Sequence, residues 1–225
     1  MKFLKRLLKV LLKKLLGISY IPVLERIDFL KKKFSGSYFS LNNIDKKIEK
    51  YLNYKNGFFV ELGANDGVRQ SNTLYFELKK NWKGVLIEPS PNNFQKCLTN
   101  RSKRNSIFCN ACVGFEYKDK YVDMKYANLM TFSDNLNLDI NKKVFIKDSK
   151  KYLTQDEVII SFGAKARTLN SILIEANAPK IIDFLSIDVE GAEIEVLKGI
   201  DFDNFYFRYI VIEAIDKKKI SHFLN

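Results

Sequence analysis

The sequence predicts a three-layer α/β domain with a mostly parallel sheet, and three observations lead there. From Gly57 onward, short apolar β-favouring runs alternate with helix-length segments, the pattern of successive β-α units. The first run, Phe58-Phe59-Val60-Glu61-Leu62, empties into a turn with glycines at 63 and 67, as a buried first strand hands over to a ligand-facing loop. Three runs also close on an acid, Glu61, Glu88 or Asp188, where the carboxyl ends of parallel strands border a crevice.

At 225 residues, 46% hydrophobic and 13% aromatic, the chain can bury one ordinary core and carry an appendage. Its net charge of +12 would suggest nucleic acid if it were spread evenly. It is not, because residues 1–33 hold ten Lys or Arg against Glu25 and Asp28, leaving only about +4 (12 minus 8) for the rest. No nucleic-acid partner is therefore expected.

Residues 1–17 form a cationic amphipathic helix on this reading. Leu4, Leu7, Leu8, Leu11 and Leu15 share one side at about 100° per residue, and Lys2, Lys5, Arg6, Lys9 and Lys13 share the other. Lysines interrupt the apolar runs too often for a bilayer span, and neither a signal-peptide core nor a cleavage site is present. Two placements fit: peripheral attachment to an anionic inner-membrane surface, or docking of the leucines on the domain. Six cations before the first acid favour the membrane. Residues 1–35 are assigned to this helix and its connector, broken by Pro22, and residues 36–225 to the domain, with the boundary at Ser35-Gly36-Ser37.

Asn43 or Asp45 caps a short packing helix whose Ile44, Ile48 and Leu52 face inward. Strand one covers 58–62 and helix one about 72–80. Strand two, centred on Val85-Leu86-Ile87, ends at Glu88 and is stopped by Pro89-Ser90-Pro91; helix two covers about 91–100. Strand three runs from Ile107 to Val113. A less regular insertion fills 115–165, its aromatic residues suited either to stacking on an acceptor or to ordinary packing. A helix at 169–176, a strand at 184–187, a short helix at 193–197 and a strand at 209–212 complete the series. Cys109 and Cys112 have metal-like spacing but would face opposite sides of a strand, so no metal site is expected. Three cysteines without a signal peptide imply a reducing, cytoplasmic setting.

Glycines at 63 and 67 let a ligand approach bare backbone, and Glu88, 21 positions beyond Gly67, is placed to accept both hydroxyls of a ribose. The turn lacks the G-x-G-x-x-G spacing that seats a pyrophosphate, and Asp66 would repel one. Acids there suit a cofactor carrying ammonium and sulfonium, such as S-adenosylmethionine. An NAD-type oxidoreductase ranks second, and a non-catalytic membrane-binding module third.

Five linked strings, Glu61-Leu-Gly-Ala-Asn-Asp-Gly67, Gln70-Ser-Asn-Thr73, Trp82-Lys-Gly84, Leu86-Ile-Glu-Pro89 and Leu185-Ser-Ile-Asp-Val-Glu-Gly-Ala-Glu193, resemble the FkbM-type S-adenosylmethionine-dependent methyltransferases in order and spacing over about residues 45–215. The resemblance implies a class I, Rossmann-like methyltransferase sheet, and O-methylation of a hydroxyl on a glycan, lipid-linked sugar or other acceptor. It also implies that Glu61, Gly63, Asn65 and Gly67 hold the amino-acid end of the cofactor, that Glu88 holds its ribose, and that Asn110 borders its adenine. Asp188 then lies near the transferred methyl group as general base; it could instead orient acceptor or cofactor, or join Glu190 on a divalent cation. Glu190 itself is expected to begin the following helix. The family continues past Val211-Ile212-Glu213 with a helix and two more strands, so the domain reads as shortened at its C-terminus, with 209–212 an open edge suited to homodimer pairing.

Overall fold

A computed structural model describes residues 38–136, 138, 141–153 and 157–224. The N-terminal amphipathic segment and the boundary at 35–37 lie outside the described residues. Among the latter, no helix is long and apolar enough to cross a membrane.

Phe39–Asn225 make up one compact unit. It opens with a 3-10 turn (41–43) and helix α1 (Ile44–Glu49). Asp45 is fully buried and ties down the chain before the helix, accepting the Phe39 N–H at 2.6 Å and the Ser40 hydroxyl at 2.6 Å. Asn43 precedes the helix but makes no side-chain cap. Strand β1 (Phe58–Leu62), α2 (Leu74–Lys80), β2 (Lys83–Ile87), α3 (Pro91–Asn100) and β3 (Ser106–Phe108) follow as β-α units. Pro91 at the first turn of α3 explains its sharp start, because proline has no N–H to leave unsatisfied there.

The chain then leaves this sheet at Cys109-Asn110. Strand three is not continuous to Val113: the next piece, β4 (Ala111–Cys112), belongs to a second sheet with β5 (Tyr121–Tyr126), β6 (Phe132–Ser133) and β7 (Ile160–Arg167). The insertion is therefore more regular than expected. Along β5 exposed and buried residues alternate, with Val122, Met124 and Tyr126 inward, so its period of two packs one face over the main sheet's crevice end. A 3-10 turn (128–130) joins β5 to β6, and α4 (Lys142–Ser149) follows β6.

Helix α5 (Leu169–Glu175), capped by Thr168 through the Ser171 N–H, returns the chain to β8 (Ile181–Ile187). After α6 (Glu193–Leu197) comes β9 (Tyr206–Ile212). The lysine-rich tail is also ordered, as α7 (Lys217–Leu224), and seats Ile220 in the core.

All neighbours in the main sheet are parallel, in the order β3-β2-β1-β8-β9. Strands are added on one side of β1 up to β3 and on its other side from β8 onward, so the crevice opens at the tips of β1 and β8. One face carries Val60, Leu62, Val85, Leu185 and Ile187 against α5 and α6. The other packs Phe76 on Trp82 (ring centroids 4.9 Å) and on Phe184 (5.8 Å). Edge strand β9 leaves Tyr206 63% exposed.

Candidate functional site

Register explains how the acids meet. Leu62 pairs with Ile87 on one side and Ile187 on the other, and Ile187 pairs with Ile212. The next row, just beyond the strand ends, is therefore Glu88, Gly63, Asp188 and Glu213, three carboxylates around a glycine. Glu88 and Asp188 sit at the crevice as the sequence suggested. Glu213 was overlooked as a site residue, although the signal was the same: an acid directly after an apolar run.

Glu61 is different. It is the penultimate residue of β1, and alternation along the strand turns its side chain to the helix-covered face with Phe59 rather than out of the tip. Its Oε1 accepts the Asn72 N–H at 2.8 Å, and its Oε2 accepts from the Ser71 hydroxyl (3.0 Å), the Thr73 hydroxyl (2.5 Å) and Arg101 Nη1 (3.2 Å). The carboxylate is 4% exposed and is thus engaged by its own chain.

The loop over β1 divides the crevice into two adjoining cavities. On one side, Gly63, Asn65, Glu88, Asn110, Met124 and Leu136 line the first. Glu88 Oε2 accepts the Asn65 N–H at 2.8 Å and Oε1 the Ser90 N–H at 2.9 Å, fixing the carboxylate in the cavity wall. Burial pushes its pKa up to about 7, against the lowering effect of these two amides. Asn65 reaches its place through a left-handed φ of 48°. Asn110 is anchored by its Nδ2 donating to the Lys165 carbonyl at 3.0 Å, and so depends on the break between β3 and β4.

The second cavity is lined by Glu61, Gly63, Asn65, Arg69, Asn72, Asp188, Glu190 and Glu213. Burial, then the charges of Glu213 and Glu190, push the Asp188 pKa well above the usual carboxylate range. Glu190 is pushed up to about 8 by burial and by Glu213 and Glu193. It does not begin α6, as expected, but occupies the turn before it with φ 53°; Glu193 takes the helix start and accepts the Gly191 N–H at 2.9 Å. Asn72, 8% exposed, donates through Nδ2 to Ser186 at 2.9 Å and leaves Oδ1 without a partner.

The glycines act differently from one another. A Cβ on Gly63 would collide with the Asp188 carbonyl, so glycine lets the two strand tips close. At Gly67 a Cβ would strike Arg101 Cγ at 2.7 Å and Cys97 Sγ at 3.0 Å, so its bareness makes room for an arginine rather than a ligand. Arg101, which the sequence reading missed, has a fully buried side chain. Cys97 and Cys112 are buried thiols with pKa values pushed up to about 12 by desolvation. Among the described residues no cluster of three or more His, Cys, Asp or Glu has metal-holding geometry.

No curated protein and no solved structure matches the chain significantly. The family model described as the methyltransferase FkbM domain matches residues 61–222, from the acid of β1 to the last turns of α7. The match takes in the glycine turn and the carboxylates of Glu61, Glu88, Asp188, Glu190 and Glu213, and the chain belongs to the FkbM methyltransferase family.

Proposed function

We propose that the protein is an S-adenosylmethionine-dependent O-methyltransferase whose acceptor is a sugar hydroxyl on a glycan or lipid-linked saccharide. The observation that carries this reading is the row of Glu88, Gly63 and Asp188 at the sheet's switch point, with a cavity on each side of the glycine. The residues present fit the donor: acids line the cavity that would take its cationic end, and the orphaned Asn72 Oδ1 there calls for a hydrogen-bond donor.

When bound, the donor supplies a sulfonium methyl group for in-line transfer to a nucleophilic oxygen. Glu88 would accept the ribose hydroxyls, and Asn110 with Met124 and Leu136 would border the adenine. Gly63, Asn65 and Asn72 would hold the amino-acid end. Asp188 would receive the acceptor hydroxyl's proton as general base, contributing about 10²–10⁴-fold. Its raised pKa makes its ionised form the stronger base. The turn from Gly63 to Gly67 lacks the G-x-G-x-x-G spacing that seats a pyrophosphate, which disfavours the oxidoreductase reading.

Isothermal titration with S-adenosylmethionine tests the assignment. Binding at micromolar concentration supports it; no heat, or preference for a nicotinamide dinucleotide, refutes it. The cationic segment 1–17 is proposed as a peripheral anchor on anionic membranes. Flotation with phosphatidylserine vesicles should be lost on deleting it, and unchanged flotation would remove that role.

A further inference from the structure

Arg101 follows α3, 40 positions from Glu61 in sequence, yet its guanidinium sits beneath the glycine turn. Nε donates to Glu77 Oε2 at 2.8 Å. Nη1 donates to Glu61 Oε2 (3.2 Å), the Gly67 carbonyl (3.2 Å) and Ser71 Oγ (3.1 Å), and Nη2 donates to Thr73 Oγ1 at 2.9 Å. Its plane lies over the Phe59 ring, 5.2 Å from the centroid. One side chain therefore grips strand β1, the turn at 67, the residues before α2 and α2 itself.

We propose that Arg101 and Glu61 form a buried clamp that positions the donor-binding loop 63–73, so that Glu61, which borders the second cavity, serves the cofactor by holding that loop. This inference rests on the donor site proposed above. The argument is one of capacity. Glu61 already receives four hydrogen bonds from its own chain, leaving little for a ligand. The atoms it holds belong to Ser71, Asn72 and Thr73, and Asn72 carries the orphaned Oδ1 on the cavity wall. Moving the Asn72 amide by an ångström would move that acceptor with it. Arg101 also fills the space that a side chain at Gly67 would need, so the turn's shape and the arginine's seat determine each other. A lysine keeps the charge but offers one compact ammonium in place of the planar fork, and cannot bridge five partners at once.

The full chain and its Glu61→Gln, Arg101→Lys and Ile172→Ala variants should be titrated with S-adenosylmethionine, each after its unfolding midpoint in urea is known. Ile172, buried on α5, controls for lost stability away from the loop. The clamp predicts at least a tenfold rise in Kd for Glu61→Gln and Arg101→Lys, with Ile172→Ala within twofold at similar loss of stability. Faster amide exchange confined to residues 67–74 should accompany it. If Arg101→Lys does not fold, Glu61→Gln decides, since it keeps the side chain's shape. A Kd for Glu61→Gln within twofold of the Ile172→Ala value overturns the clamp. Failure of the unaltered protein to bind the donor overturns the donor site itself, and the clamp with it.

Discussion

A Cβ added to Gly63 would lie 1.8 Å from the carbonyl oxygen of Asp188, well inside any tolerable contact. The two residues stand side by side because Gly63 donates its N–H to Ile87 (3.0 Å) while Asp188 donates its own to Leu62 (3.3 Å), drawing three strand tips together. Gly63 also holds φ at 75°, where a side chain is disfavoured. Gly63→Ala should therefore lower unfolding free energy by about 3 kcal/mol, clash and strained φ together, and abolish donor binding. Urea unfolding measures the first, and an unchanged midpoint would show that the tips can part without penalty.

Glu88→Gln keeps the shape of the side chain while removing its charge. Donor affinity should fall about 10–100-fold, the range expected for hydrogen bonds to a charged group. Because burial raises the Glu88 pKa to about 7, the carboxylate is lost as pH falls through that value. Affinity in the unaltered protein should accordingly weaken below pH 7, and the Gln variant should show a flatter profile between pH 6 and 8. Parallel profiles would exclude Glu88 as the titrating acceptor.

The Glu190 pKa lies at about 8, above its ordinary value. A raised folded-state pKa means that stability is fully present below the ordinary glutamate range and is lost as pH rises through about 8. Glu190→Gln should abolish this loss. Each pKa unit is worth about 1.4 kcal/mol, and solvent reaching this half-buried group reduces the effect, so a gain of about 1–2 kcal/mol at pH 9 is expected, vanishing near pH 4. Thermal unfolding of the donor-free protein at the two pH values provides the comparison; a gain at pH 4 would point to backbone strain instead.

Asp188→Asn should leave donor Kd within a few-fold and cut methyl transfer about 100-fold or more, as loss of a general base requires. Initial rates with a radiolabelled donor and a saccharide acceptor measure this against titration. A collapse in affinity would make Asp188 a donor-holding residue. Glu213→Gln should lower the pH at which turnover half-saturates, because it removes the largest neighbouring charge raising the Asp188 pKa.

Much of the fold was legible because its signals are local. Pro91, the apolar runs around Val60, Val85 and Leu185, and the short helix at 193–197 each depend on a few neighbouring residues, and these elements lie where the pattern placed them. The second sheet was missed although β5 alternates, because its partner β7 lies dozens of residues away and buries only Ala164 among its eight residues. The ordered tail was missed because only Ile220 in it is buried.

Sequence alone determined that acids cluster at the carboxyl ends of parallel strands around a glycine turn, because strand order, length and termination are written in short-range patterns. Tertiary structure decided which acids face the crevice. Register aligned Glu88, Asp188 and Glu213 in the row beyond the strands, whereas Glu61, one residue short of its strand's end, was turned inward to a distant arginine. Side chains alternate faces every residue along a strand, so a one-position difference moves a carboxylate from the row beyond the strand tips to the face that carries Arg101.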